Sequence, residues 1–177
     1  MSSHAPHTAA AAADAHARSK RPRSPIAGPY GHPFHPIMVT VPIGAWISSL
    51  VFDIVAFVVD DPEPFAAGAT VLIVIGLIGA VLAAILGLLD YSQLENGTPA
   101  RRTATIHLLL NLTVVALFVI SLVVRLVAGA DEENVLGFVV SLVGVLVLGF
   151  SGYLGGKLAY HFGVRVAAEG TQAEGFR

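Results

Sequence analysis

The amino-acid sequence predicts an all-α membrane protein, a four-transmembrane-helix bundle with both termini in the cytoplasm. Of its 177 residues, 55% are hydrophobic and only 12% are charged, whereas about 25% of the residues in a soluble domain are charged. Apolar stretches of the ~20 residues that a helix needs to cross a bilayer occur four times along the chain. We therefore expect one membrane domain at residues 30–167, between a tail at 1–29 and a short tail at 168–177.

The first apolar stretch contains the most informative pattern. It covers residues 31–59, reads GHPFHPIMVTVPIGAWISSLVFDIVAFVV, and begins with two histidines that each precede a proline. His35, Trp46, Ser49 and Asp53 lie within about 60° of one another at 100° per residue, so they share one face of the predicted helix. The remaining spans are predicted at residues 65–89, 103–128 and 135–160.

The distribution of basic residues predicts the orientation. With the N-terminus inside, nine of the ten Lys and Arg side chains lie in cytoplasmic segments, and Arg125 alone lies toward the outside. Such an excess marks the cytoplasmic side of a membrane protein. We expect a multi-pass protein of the bacterial cytoplasmic membrane. The tail at 1–29 is rich in Ala, His, Ser and Pro, lacks a periodic apolar face, and is expected to be disordered.

Asp53 and Arg125 are predicted to form an ion pair within the membrane. His35 precedes Asp53 by eighteen residues, and His107 precedes Arg125 by the same number, which is ~27 Å of helix. Because the first and third spans run in the same direction, the two charges share one depth. Pairing would offset much of the ~2.5–3.5 kcal/mol that a lone charge costs at the centre of a membrane helix. The alternative is that each side chain reaches the membrane surface separately.

A second predicted site lies at the cytoplasmic ends of the spans, where the histidines outside the tail accumulate. We expect the imidazoles to bind haem b or a transition-metal ion. The alternative is that these histidines simply lie where helices meet water. The main candidates are His35, His107 and His161, the secondary candidates are His32 and Asp90, and the supporting polar residue is Asn111.

Small residues recur at helical spacing on two spans, for example Gly76, Ala83 and Gly87 on the second. Lipid gives helices no hydrophobic reason to associate, so small residues that allow close backbone contact supply the attraction. Tight helix packing is the first interpretation of this pattern. The second is that glycines at 152–156 make room for a flat cofactor.

Composition excludes several classes of protein. The chain has no cysteine, which excludes disulfides, cysteine-ligated iron–sulfur clusters, covalently attached haem and a thiol nucleophile. The net charge of −2 gives no reason to expect a nucleic-acid partner. No Ser-His-Asp spacing, phosphate-binding loop or HExxH motif indicates a hydrolase or transferase, and enzymatic activity stays an open question.

Three motifs carry a resemblance to a known family. The strings GHPFHPIMVTVPIGAW followed by Asp53, RRTATIHLLLN, and GGKLAYHFGVRV resemble the four-helix bacterial membrane family catalogued as domain of unknown function 2231. The resemblance covers about residues 30–167. Some relatives are joined to cytochrome c-like or Rieske-type domains, which implies by association a place in membrane electron transfer. The histidines that match the family are His32, His35, His107 and His161.

Three functional classes stay open at this stage. The first is a redox-associated or metal-binding membrane subunit that uses the histidines. The second is a proton, ion or small-solute transport subunit in which Asp53, Arg125 and Asn111 line a polar route. The third is a structural subunit without a cofactor. The expected partners are the lipid bilayer and a redox protein, and a homo-oligomer stays open.

Overall fold

The computed structural model describes residues 9–177, and this part of the chain is helical throughout its regular structure. Four segments in it are long and apolar enough to cross a membrane, which confirms the predicted all-α, four-helix membrane fold. The first of them, Phe34–Ala56, contains two consecutive helices. The α-helices are α1 (Ala9–Ser19), α2 (Phe34–Met38), α3 (Thr40–Ala56), α4 (Glu63–Tyr91), α5 (Pro99–Ala128), α6 (Val135–Gly156) and α7 (Glu169–Ala173).

Two of the membrane helices, α5 and α6, begin with a side-chain N-cap. The Thr98 side chain accepts a hydrogen bond from the backbone N–H of Arg101, and Pro99 follows at the first helical position of α5. Asn134 caps α6 by accepting from the backbone N–H of Gly137 at 2.7 Å. These caps satisfy N–H groups that have no partner inside the helix, and proline at the first position loses no bond.

The first membrane segment is interrupted between α2 and α3, at Val39. Pro42 lacks the N–H that would otherwise bond to the Met38 carbonyl, and its ring crowds that carbonyl, so the helix is interrupted there. His35 consequently lies on the short helix α2, separate from the rest of the segment. The break places the histidine at one end of the bundle on a restrained turn.

The membrane helices pack as two hairpins, α3 against α4 and α5 against α6. The core between them contains Trp46 and Phe118, whose rings stack with centroids 4.1 Å apart and planes 3° from parallel. Glycine allows this close packing. A Cβ atom on Gly76 would lie 2.2 Å from Trp46 Nε1, and one on Gly144 would lie 2.9 Å from Phe118 Cε2.

The outward faces of the membrane helices carry exposed Val, Ile and Leu side chains. Such a surface suits contact with lipid hydrocarbon. Small residues line the helix contacts instead, which agrees with the packing interpretation of the sequence pattern. The exceptions in the membrane helices are Gly44, Gly149, Gly152 and Gly156, where an added Cβ would meet no atom within 4 Å.

The described part of the N-terminal segment contains one α-helix and contacts the rest of the chain. Residues Ala9–Ser19 form α1, and seven of its eleven residues are alanine, the residue with the highest helix propensity. Arg18 pairs with Asp14 on the same helix and with Glu95 in the α4–α5 loop. The Ser19 carbonyl accepts a hydrogen bond from the backbone N–H of Arg165 at 3.0 Å. The part of this tail at residues 1–8 lies outside the described residues.

Candidate functional site

Two of the predicted histidines meet at one end of the bundle. The ring centroids of His35 on α2 and His107 on α5 are 6.5 Å apart, and the ring planes are 87° apart. Both side chains are half-buried. The pair lies between the two hairpins, at the end of the bundle to which the N-terminal segment leads.

Each ring of this histidine pair is oriented by a backbone carbonyl. Nδ1 of His35 is 2.9 Å from the Ala83 carbonyl oxygen, and Nδ1 of His107 is 2.8 Å from the Ser151 carbonyl oxygen. A carbonyl oxygen can only accept, so each Nδ1 carries the proton and each Nε2 keeps a lone pair. A histidine that ligates a metal is commonly held in this way, with its second nitrogen free for the ion.

The surroundings of the two rings are alike in most respects. A Cβ atom added to Gly87 would lie 3.0 Å from Cε1 of His35, and one added to Gly155 would lie 3.3 Å from Cε1 of His107. Glycine therefore makes room for each ring. Two differences lie on the His107 side. The amide nitrogen of Asn111 is 3.1 Å from Nε2 of His107 and 2.9 Å from the His107 carbonyl oxygen, and Ser151 Oγ is 2.9 Å from Nδ1 of His107, where the equivalent Ala83 has no hydroxyl.

This likeness extends along both hairpins, which form an internal repeat. Residues that occupy the same place on α2–α3 and on α5 are 72 positions apart. Three such pairs contact each other between the hairpins: His35 with His107, Trp46 with Phe118, and Asp53 with Arg125. Equivalent residues meet in this way when two units are related by an approximate two-fold axis that passes between them.

The second helix of each hairpin follows the same repeat with a shift of 68 positions. Residues of these second helices contact the aromatic pair and the histidine pair that lie between the hairpins. The equivalent positions are Gly76 and Gly144 beside the aromatic stack, and Ala83 and Ser151, then Gly87 and Gly155, beside the histidines. The repeat therefore duplicates both the histidines and the groups that hold them.

At the other end of the axis, Asp53 and Arg125 are in contact, the two residues that the matched spacing paired. Nη1 and Nη2 of Arg125 donate to the two carboxylate oxygens of Asp53 at 2.7 and 2.8 Å. The Asp53 side chain is 4% exposed and the Arg125 side chain is 1% exposed. Nε of Arg125 donates to Ser121 Oγ at 3.2 Å, and Ser121 Oγ is 2.8 Å from Ser141 Oγ. This bidentate pair joins the two hairpins.

Comparison with known families agrees with this architecture. A family model described as predicted membrane protein (DUF2231) matches residues 31–168. The chain belongs to the DUF2231 family. It is a multi-pass membrane protein, with four apolar helices in the matched region. No curated protein and no solved structure matches the chain.

Within the matched DUF2231 region, the other predicted ligands do not join the histidine pair. His161 is exposed and its ring contacts that of Phe162, 4.8 Å away. Among residues 9–177, no three His, Asp or Glu side chains are placed to hold a metal ion. The expected three-histidine metal site is therefore not formed. His161 is the last residue of the π-helical turn Lys157–His161, which follows α6.

Asp90 and His32, the secondary candidates, also lie apart from the pair. The Asp90 carboxylate is 2.8 Å from Nε of Arg165, and His32 is exposed in the loop before α2. Arg165 is a residue that sequence reasoning missed. It is 4% exposed and has a backbone φ of 61°. The sequence shows it only as one more basic residue after the last span, so no sequence signal marked it.

Proposed function

We propose that this DUF2231 protein is a redox-associated membrane subunit in which His35 and His107 bind one b-type haem. The observation that supports the proposal is the pairing of two histidines, each oriented through Nδ1, on the approximate two-fold axis. Haem iron bound in this way carries one electron and suits transfer between membrane partners. On the predicted orientation, the site lies at the cytoplasmic face.

The distance between the two ring centroids is close to that expected for two imidazoles on one metal ion. A metal–imidazole bond is ~2.0–2.1 Å, and the nitrogen lies ~1.1 Å from the ring centre, so two rings across one ion have centres ~6.3 Å apart. The centroids of His35 and His107 are 6.5 Å apart. The perpendicular ring planes do not oppose this arrangement, because each ring can rotate about its metal–nitrogen bond.

The number of protein ligands favours haem over a bare ion. Zinc and similar ions take three or four protein ligands, and residues 9–177 bring no third ligand to the pair. Haem supplies four nitrogen ligands of its own and would need only two more from the protein, which His35 and His107 would provide. For Nε2 of His107 to bind, the contact with the Asn111 amide nitrogen at 3.1 Å must be released. The second amide contact, to the His107 carbonyl, can remain.

The test is a titration of the detergent-purified full chain with haemin, followed by visible absorption. We expect one haemin per chain with the spectrum of a bis-histidine iron, and loss of that spectrum in both His35→Ala and His107→Ala. His161→Ala is the matched control, since this histidine is near the same end of the bundle but exposed. Circular dichroism and size-exclusion chromatography show whether each variant keeps its fold.

Two results would contradict the proposal. One is failure of the unchanged protein to bind haemin. The other is a well-folded His107→Ala variant that binds haemin as the His161→Ala control does. A metal analysis of the same sample reports any bare ion.

A further inference from the structure

A half-open cavity of about 430 Å³ lies beneath α1, at one end of the bundle. Its wall is built by α1, by the turn between α4 and α5, by the first residues of α5 and by the segment after α6. The apolar side chains that line it are Ala12, Ala15, Leu94, Pro99, Ala100 and Phe162. Ligand sites commonly have volumes of ~300–1,000 Å³. This α1 cavity is therefore large enough to hold part of a lipid molecule.

Most polar groups in the wall of the α1 cavity already have partners within the protein. Ser19 Oγ donates to the His16 carbonyl oxygen at 2.8 Å, and Thr98 Oγ1 donates to the Glu95 carbonyl oxygen at 2.7 Å. The Glu95 carboxylate is paired with Arg18. The wall thus offers an occupant mainly apolar surface, which favours a hydrocarbon chain over a polar solute.

Two basic side chains lie next to the α1 cavity. A Cβ atom added to Gly163 would lie 3.0 Å from Nζ of Lys20 and 3.2 Å from Nε2 of His16, so these two nitrogens are close to each other. The Lys20 ammonium carries three N–H groups. Among residues 9–177 it has one hydrogen-bond acceptor, the Val166 carbonyl oxygen at 3.4 Å. Its other two N–H groups are available to a ligand.

The charges around the α1 cavity leave a positive excess. Arg18 contacts the carboxylates of both Asp14 and Glu95. Lys20 and Lys157 form no ion pair in the part of the chain that the structure describes, and Nζ of Lys157 lies 5.6 Å from the centre of an aromatic ring in the cavity wall. The N-terminus of α5, the positive end of its helix dipole, also borders the cavity. These surroundings complement an anionic group.

The α1 cavity lies where two membrane spans end. Helix α4 ends at Tyr91 and α5 begins at Pro99, and the turn between them forms part of the wall. A cavity at this level is within reach of both the acyl chains and the headgroups of one leaflet. On the predicted orientation this is the cytoplasmic leaflet, in which anionic headgroups attract Lys and Arg side chains.

We propose that the α1 cavity binds an anionic phospholipid, with part of an acyl chain against the apolar wall and the phosphate group at Lys20 and His16. Two features together select this class of ligand. A water-soluble anion would leave the apolar wall uncovered, and an uncharged lipid would not use the positive excess. The inference goes beyond the proposed haem site and does not depend on it.

The experiment compares two phospholipids with the same acyl chains, dioleoylphosphatidylglycerol, which is anionic, and dioleoylphosphatidylcholine, which has no net charge. Each is titrated into the delipidated full chain in detergent, and native mass spectrometry gives the dissociation constant of the first bound lipid. We expect the unchanged protein to bind the anionic lipid about tenfold more tightly, the size of one charged hydrogen bond.

The headgroup part of the proposal is tested with charge variants. Lys20→Gln should bring the ratio of the two dissociation constants close to one. Arg23→Gln is the matched control, because it removes the same charge from an exposed position of the same segment that does not line the cavity, and it should keep the ratio. His16→Ala is a second variant at the phosphate position and should lower the ratio as well.

The acyl-chain part is tested by filling the cavity. Ala15→Phe places a ring in the apolar wall and should weaken the binding of both lipids about tenfold, the loss of about two buried methylene groups. The ratio between the lipids should stay that of the unchanged protein, since the basic side chains are kept. Ala13→Phe is the matched control, because Ala13 is exposed on the same helix and does not line the cavity.

Three results would overturn the inference. The first is an equal affinity of the unchanged protein for the two lipids. The second is an equal loss of the ratio in Lys20→Gln and Arg23→Gln, which would show attraction to diffuse positive charge. The third is equal lipid binding by Ala15→Phe and Ala13→Phe, which would place the lipid outside the cavity. Circular dichroism identifies variants that do not fold, and His16→Ala then replaces Lys20→Gln. No measurement here involves haemin, so failure of the haem site would leave these results unchanged.

Discussion

Neutralising either partner of the Asp53–Arg125 pair should destabilise the bundle strongly. Asp53→Asn leaves the guanidinium of Arg125 unpaired in a site where it is 1% exposed, and Arg125→Gln leaves the carboxylate unpaired. Breaking a buried ion pair in this way costs about 3–5 kcal/mol, because the remaining charge keeps its desolvation penalty. The double variant leaves no unpaired charge. We therefore expect a coupling energy of about 2–3 kcal/mol between the two substitutions.

The free energy of unfolding is measured in mixed detergent micelles for the unchanged protein, both single variants and the double variant. The control is the exposed pair of Arg18 and Glu95, whose side chains are 46% and 40% exposed. The same cycle of Gln substitutions there should give a coupling energy of about 0–1 kcal/mol, since water screens both charges. The difference between the cycles isolates the effect of burial.

Additive effects of Asp53→Asn and Arg125→Gln, within about 0.5 kcal/mol, would refute the reasoning. That result would mean that each charge finds water or lipid headgroups when its partner is removed. Neutral hydrogen bonds between membrane helices couple by only ~0.6 kcal/mol on average. A coupling of that size would show that the charges contribute no more than ordinary polar contacts.

The remaining predictions concern packing and orientation. Gly76→Ala should lower the free energy of unfolding by about 1–3 kcal/mol, because its Cβ would lie 2.2 Å from the ring that it faces, which overpacks the core. Gly152→Ala is the matched control: an added Cβ there meets no atom within 4 Å, so stability should stay unchanged or rise by about 0.5–1 kcal/mol. Reporter fusions after Ala66 and Asn134 should behave as external and one after Asn96 as cytoplasmic, since the Lys and Arg residues are concentrated on that side. An external reporter at Asn96 would reverse the orientation.

The sequence predicted the membrane spans and the contact between Asp53 and Arg125 because both follow from periodicity and length. Apolar runs of fixed minimum length mark the spans. Two parallel helices with polar residues at equal spacing place those residues at equal depths, which needs no knowledge of tertiary packing. The same argument brought His35 and His107 to one level. In both cases the structure puts the paired side chains in contact.

The depth of a residue along its membrane helix was not enough to predict where the side chain of His161 lies. The residue lies near the same end of the bundle as the histidine pair, but it belongs to the π-helical turn Lys157–His161 after α6, and the sequence did not predict that change of helix type. The role of Arg165 could not be predicted from the sequence, for a different reason. Its burial arises from contacts between the two terminal segments and α4, and no local pattern in the sequence encodes such long-range loop contacts. The internal repeat was not predicted from the sequence, because its residue identities differ and its shifts of 72 and 68 positions become apparent only from the contacts between the hairpins.

The internal repeat has a consequence for the charges on its axis. In a dimer of two identical hairpins, a residue on the two-fold axis would meet its own copy. An aspartate there would face an aspartate, and the like charges would repel each other in a buried site. Joining both hairpins in one chain allows the two positions to differ, so that one can hold Asp53 and the other Arg125. The covalent connection therefore allows an attractive charge pair at a position where a symmetric dimer of identical hairpins would have two like charges. Each hairpin then pairs with the other hairpin of its own chain and not with a second copy of itself.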